Sequence, residues 1–201
     1  MLPLGLFRRR NFSFANLETF AVYAGLSTLT FFLVLYLQQI AGYSALRSGL
    51  ALVPITVVMF FLSPRVGRLS MRLGPRLFMS AGPFVAAVPL ATLIRLGRDF
   101  SYWWELLPAL IVFSVGLSMI VAPLTATVLA DADESDAGIA SGINNAIARV
   151  AGLLGIAVVG AAVAGGGNSL DLSGFRLSMG ITAVLVAAGG VIGLAGIRNR
   201  S

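Results

Sequence analysis

The chain has 201 residues, 58% of them hydrophobic and only 11% charged, with a formal net charge of +6 and a mean hydropathy of +0.93. Soluble domains carry roughly 45–50% apolar residues, so this composition describes an integral membrane protein. All fourteen basic residues are arginine, and the chain has no cysteine and no histidine, which excludes disulfides and thiol chemistry and removes the commonest metal ligand and general base.

On those grounds no metal site and no cofactor is expected, and an enzyme is the least supported class. The arginines flank apolar runs instead of forming one patch, so anionic lipid headgroups are their expected counter-charge and nucleic acid is not an expected partner. Residues 1–12, MLPLGLFRRRNF, put three arginines ahead of a long apolar run and show no small-residue cleavage site. The first span is therefore expected to remain in the mature chain.

Apolar runs long enough to cross a hydrocarbon core of roughly 30 Å as helix number six. They cover about residues 11–38, 45–63, 77–96, 104–130, 137–164 and 175–197. Helices are expected because each satisfies its own backbone in lipid, and no alternating strand pattern competes. The expected fold is an all-α integral membrane bundle of six spans in one unit, since no connection is long enough to hold a soluble domain.

Between spans 2 and 3 lies PRVGRLSMRLGPRLF, residues 64–78, with Arg65, Arg68, Arg72 and Arg76. It reads as a short turn bent at Gly67 and Gly74. Six spans put both termini on its side of the membrane, where nine arginines stand against four on the other, Arg149 being set aside within span 5. Short loops rich in arginine stay cytoplasmic, so both termini are expected in the cytoplasm, and Tyr102, Trp103 and Trp104 form an outer aromatic anchor.

Prolines 54, 83, 89, 108 and 123 fall inside or near spans, where a missing N–H and a ring clash kink a helix. Span 5 holds Gly138, Gly142, Gly152, Gly155 and Gly160, small residues that let a neighbouring helix approach closely. Ahead of it, Asp131, Asp133, Glu134 and Asp136 lack the glycine and glutamate of a calcium loop. Capping of span 5 by Ser135 or Asp136 explains them, with salt bridges to the arginines of residues 64–78 as the alternative. Ser141 has no histidine to activate it, and the glycines at 190, 193 and 196 lie inside an apolar span with no preceding strand, so neither marks a catalytic or nucleotide site.

Two ionisable residues stand inside spans, Glu18 and Arg149. Such a group costs about 2.5–3.5 kcal/mol on insertion scales and is usually kept for a functional reason. Asn144 and Asn145 precede Arg149 by about a turn. The expectation is that Glu18 and Arg149 face one polar interior and pair, or exchange partners as a proton binds. The alternative is that Arg149 snorkels and Glu18 sits at headgroup level.

Several stretches resemble the fourteen-span drug:proton antiporters of the major facilitator superfamily, the EmrB/QacA type. LPLGLFRRRNFSFANL (2–17) resembles the approach to that family's ninth span, and LYLQQIAGYSALRSGLALVP (35–54) its outer turn into the tenth. GRLSMRLGPR (67–76) resembles its next cytoplasmic turn, and residues 132–160, with Gly138-x-x-Ser141-Gly142, the asparagines and Arg149, the entry to its thirteenth span. The resemblance implies one half of a transporter, the C-terminal six-span bundle, in the plasma membrane. Spans 1, 2, 4 and 5 would then face a cavity, and spans 3 and 6 lipid.

It implies a loop motif at Gly67, Arg68, Arg72, Gly74 and Arg76. It also implies proton-coupled export of amphipathic or cationic small molecules, and a partner that is either a missing six- or eight-span first half or a second copy. In the family's loop an acid usually stands before the first arginine; here that residue is Met71. A non-transporting membrane assembly protein and a small-metabolite carrier are the competing expectations.

Overall fold

The computed structural model describes residues 4–130, 133, 136–163 and 170–199. After a short 3-10 turn, Leu4–Arg8, six helices among the described residues are long and apolar enough to cross a bilayer. These are α1 Arg10–Ile40, α2 Ala45–Leu73, α3 Pro75–Leu93, α4 Tyr102–Ala130, α5 Ala137–Val163 and α6 Leu172–Gly196. No strand occurs among the described residues. The all-α, six-helix bundle expected from composition and run length is the fold observed.

Small hydroxyl side chains inside the bundle bond back to their own helix. Thr19, Ser114, Ser118, Thr127 and Thr182 each donate to the carbonyl four residues earlier. Buried polar groups are thereby satisfied without leaving the helix, as a lipid-embedded chain requires.

The expectation of a turn over residues 64–78 is corrected. α2 breaks at Leu52, between Ala45–Ala51 and Val53–Leu73, and then runs unbroken through Pro64 and Gly67 to Leu73. Pro54 sits in the first turn of the second segment, where its missing N–H costs no intrahelical bond. Gly67 is a packing position: a Cβ placed there would lie 3.2 Å from Ala122 Cβ on α4. The turn is Gly74 alone, with φ +88°, a conformation that favours glycine, and Pro75 opens α3.

The helices pair in a repeating pattern. α1 packs on α5 and α6, α4 packs on α2 and α3, α3 packs on α6, and α1 touches α4. Exchanging the first three helices for the last three returns the same pairings, the signature of an internal repeat. Glycines sit at equivalent contacts: a Cβ on Gly25 of α1 would lie 2.5 Å from Val186 on α6, and one on Gly116 of α4 would lie 2.4 Å from the Ala86 nitrogen on α3. α2 and α5 lie at the two ends of this chain of contacts and leave much of their surface uncovered, including Val57, Phe60, Phe61, Leu153 and Val158.

The end of the bundle that carries both termini is pinned by side chains. The last carbonyls of a helix have no intrahelical partner and attract cationic donors. Arg10 donates to the Ala195 and Gly196 carbonyls at 2.7 and 2.9 Å, and Arg76 to that of Leu194 at 3.0 Å. Asn11 exchanges two 3.0 Å hydrogen bonds with the backbone of Arg198, while the Asn199 side chain accepts from the Arg76 N–H. Asn199 fills the space beside Gly74, whose Cβ would lie 2.4 Å from it.

The acidic stretch before α5 is tied to the other end of the sequence. Asp133 pairs with Arg9 at 2.6 Å, not with the arginines of α2, because α1 packs on α5 and brings their ends together. Both partners are well exposed, so the pair contributes little stability. Asp136 directly precedes α5, and Asp131, Glu134 and Ser135 lie outside the described residues.

At the opposite end Asp171 caps α6, accepting from the Gly174 N–H at 2.7 Å and the Ser173 hydroxyl at 2.6 Å. These bonds hold its carboxyl below the usual value of 3.8. A group whose folded-state value is depressed stabilises the fold above its unfolded value and loses that contribution as pH falls through the folded one. Asp171→Ala is therefore expected to lower the thermal unfolding midpoint at pH 7, with the gap to wild type closing as the pH falls below 3.8. A gap independent of pH would show that the cap acts without its charge.

Candidate functional site

The site is the seam between α1 and α5. Two glycines on α5 bring the helices close: a Cβ on Gly155 would lie 2.7 Å from the Ala24 carbonyl oxygen, and one on Gly152 would lie 2.5 Å from Ser27 Oγ. Gly138, Gly142 and Gly160 have nothing within 4 Å of that position. The expected small-residue stripe thus separates into two contact glycines and three that face open space.

Asn144 crosses the seam, donating to Asn16 Oδ1 at 3.1 Å and Thr19 Oγ1 at 2.7 Å. It ties α5 to α1. One turn further, alongside the close contact at Gly152, a groove of about 500 Å³ runs along the seam, lined by Tyr23, Ser27, Asn145, Ala148, Arg149, Gly152, Leu153 and Ile156. Beyond it, sharing Ser27 and Ile156, a second concavity is lined by Thr30, Phe31, Val34 and Leu35. The groove is polar and charged at one end and apolar at the other.

Arg149 lies twelve residues into α5 from Ala137, about 18 Å along the helix at 1.5 Å per residue. This is mid-helix, too deep to reach either end easily. It is exposed in the bundle and has no ion-pair or hydrogen-bond partner among the described residues. A guanidinium at that depth needs a wet or polar face, and the groove supplies it with Asn145 one turn away. The Asn145 amide itself donates to the Ser141 carbonyl at 3.1 Å.

Glu18 is elsewhere. Its side chain is 0% exposed and neither carboxyl oxygen has a hydrogen-bond partner among the described residues. It points to α6 and α3: a Cβ on Gly193 would lie 3.0 Å from its Oε2, and the same glycine abuts the Met79 carbonyl. A Cβ on Gly189 would lie 3.8 Å from both Glu18 Cγ and Pro83 Cβ. The expected pairing of Glu18 with Arg149 is not made, because the face of α1 that carries Glu18 is turned to α6 while the face that carries Asn16, Tyr23 and Ser27 meets α5.

The loop-motif residues are spread over two helices and a turn. Arg68 and Arg72 are exposed on the last turns of α2, Gly67 packs on α4, Gly74 makes the turn, and Arg76 grips the end of α6. Met71 is 75% exposed. It lines a smaller apolar pocket with Asn11, Ser70, Pro75, Pro123, Thr127 and Arg198.

Asn16, Thr19, Tyr23 and Ser27 were not singled out from the sequence. Their signal was present: with Thr30 they recur every three or four residues and so share one helix face. Hydroxyl and phenol groups are common in membrane helices, and a stripe of them marks a face without naming what it meets.

The family model for the Major Facilitator Superfamily matches residues 1–156. The chain belongs to the Major Facilitator Superfamily. This superfamily member is 32% identical over 170 residues to the cephamycin export protein CmcT of Amycolatopsis lactamdurans, over 84% of the chain and 35% of that protein. It is 30% identical over 173 residues to the tetracenomycin C resistance and export protein of Streptomyces glaucescens, over 82% of the chain and 30% of that protein. To the methylenomycin A resistance protein of Streptomyces coelicolor it is 28% identical over 160 residues, covering 80% of the chain and 34% of that protein. The chain spans about a third of the length of these relatives. Six helices of membrane-spanning length among the described residues, a transporter family and relatives named for antibiotic export and resistance point to transport rather than catalysis.

Proposed function

We propose that this chain supplies the second half-bundle of an efflux transporter that carries small amphipathic molecules across the plasma membrane. The observation that carries the reading is the α1–α5 groove, concave, at mid-helix and holding an arginine without an ion-pair partner among the described residues, in a superfamily member with export proteins among its relatives. Six helices with one such groove make one wall of a cavity. A first half, or a second copy, would make the other wall by packing on the uncovered faces of α2 and α5 and rocking against them. Glu18 would carry the coupled proton, held in the interior away from the drug groove.

The test is export of a fluorescent dye from vesicles carrying this chain alone, and with a candidate first half. Export is expected in the paired vesicles. Its absence there, with both chains folded and inserted, would favour a non-transporting assembly protein, the reading that Met71 in place of an acid supports.

Orientation is part of the proposal, with both termini cytoplasmic on the strength of nine arginines against four. The chain has no cysteine, so single replacements report sidedness without background. Arg72→Cys should react with an impermeant maleimide only from the cytoplasmic side and Asp99→Cys only from outside. Reversed labelling would invert the topology.

A further inference from the structure

We infer that the groove selects amphiphiles whose polar end is anionic, with Arg149 as the charge that holds it and the apolar end of the groove as the seat of the hydrophobic body. The inference rests on the proposed reading of the groove as a substrate site and narrows the substrate class that the resemblance to drug antiporters implies.

Charge decides it first. Among the described residues lining the groove, Arg149 is the charged one, and no carboxylate joins it. Glu18, the acid nearest in sequence to the groove's α1 residues, is 0% exposed and turned to Gly189 and Gly193 of α6. A cation in the groove would stand beside a guanidinium with no counter-charge among the described lining residues. An anion would find a planar fork of donors with no competing partner, the arrangement that binds carboxylate, sulfonate or phosphate in two-point fashion.

Shape decides the rest. Asn145 lies one turn from Arg149 on the same wall, and Tyr23 offers a ring and a hydroxyl across the seam. Towards the opposite end the lining turns to Leu153, Ile156, Phe31, Val34 and Leu35. A ligand with one acidic group and a flat or chain-like apolar body would lie along the seam with the acid at Arg149 and the body against these side chains. Its length is bounded where Asn144 ties the helices together.

The test is equilibrium dialysis of the full chain in nanodiscs against two probes with the same ring and opposite charge, 1-pyrenesulfonate and pyrenylmethyl-trimethylammonium, with empty nanodiscs subtracted. Wild type is expected to bind the sulfonate at least tenfold more tightly. Arg149→Gln should reduce that preference to within threefold, and Arg149→Lys, which keeps the charge, should retain most of it. Circular dichroism checks that each variant is folded. Equal binding of the two probes by wild type, or a preference that survives in the glutamine variant, would overturn the anionic assignment and leave the groove as a substrate site. Saturable binding of neither probe would overturn both.

Discussion

Replacing Glu18 with methionine is expected to stabilise the isolated bundle by about 1–3 kcal/mol, the penalty of a buried polar group left without a hydrogen-bond partner. In the assembled transporter the same change is expected to abolish the response to a proton gradient. The carboxyl is fully buried and without a hydrogen-bond partner among the described residues. Its surroundings are the backbone of α6 at Gly189 and Gly193, the Met79 carbonyl and Pro83. Methionine adapts to irregular gaps of this kind.

A protein gains no stability from an acid in such a place, and the proposed proton-coupled cycle is what would give it a use. Thermal unfolding in detergent gives the first half of the prediction, and gradient-driven against gradient-free export of one substrate gives the second. Glu18→Gln separates charge from shape and should fail in gradient-driven export by at least tenfold while still binding substrate. A destabilised methionine variant with undisturbed export would make Glu18 a structural residue.

Gly155→Val should be the most damaging single change on α5. A Cβ there meets the Ala24 carbonyl oxygen at 2.7 Å and Ala24 Cα at 3.0 Å, and backbone atoms cannot rotate aside as the hydroxyl of Ser27 can at Gly152. The helices must separate, at a cost of about 3 kcal/mol, the upper part of the range for overpacking. The groove floor and the Asn144 cross-link to Asn16 and Thr19 would be lost with the contact.

Gly160→Val on the same helix has nothing within 4 Å to meet and should change stability by less than about 0.5 kcal/mol. Gly116→Val, at the α3–α4 contact, should match Gly155→Val in severity. Unfolding midpoints of the three variants in one detergent test the contrast. Equal tolerance at 155 and 160 would mean that α1 and α5 are not in close contact in the membrane.

The sequence by itself determined what the solvent dictates. Apolar runs of membrane-spanning length, with no way to satisfy a backbone in lipid other than by helix, yield the six helices and the all-α fold. Arg149 was legible because an unpaired charge in the middle of an apolar run is costly wherever the helix faces. The strings around residues 2–17, 35–54, 67–76 and 132–160 also carried the likeness to the superfamily that the chain proved to belong to.

Tertiary structure decided the faces. α1 carries one polar stripe at residues 16, 19, 23, 27 and 30 and the acid Glu18 on another face, so its polar pattern alone does not say which neighbour each face meets. Glu18 and Asn16 lie within one turn of each other, yet one looks to the glycines of α6 and the other to Asn144 of α5. Packing likewise made Gly67 a helix contact and Gly74 a turn, although both stand in the same arginine-rich stretch. A glycine in the sequence declares only that a side chain is absent, and the neighbour that needs the room is chosen by which helices meet.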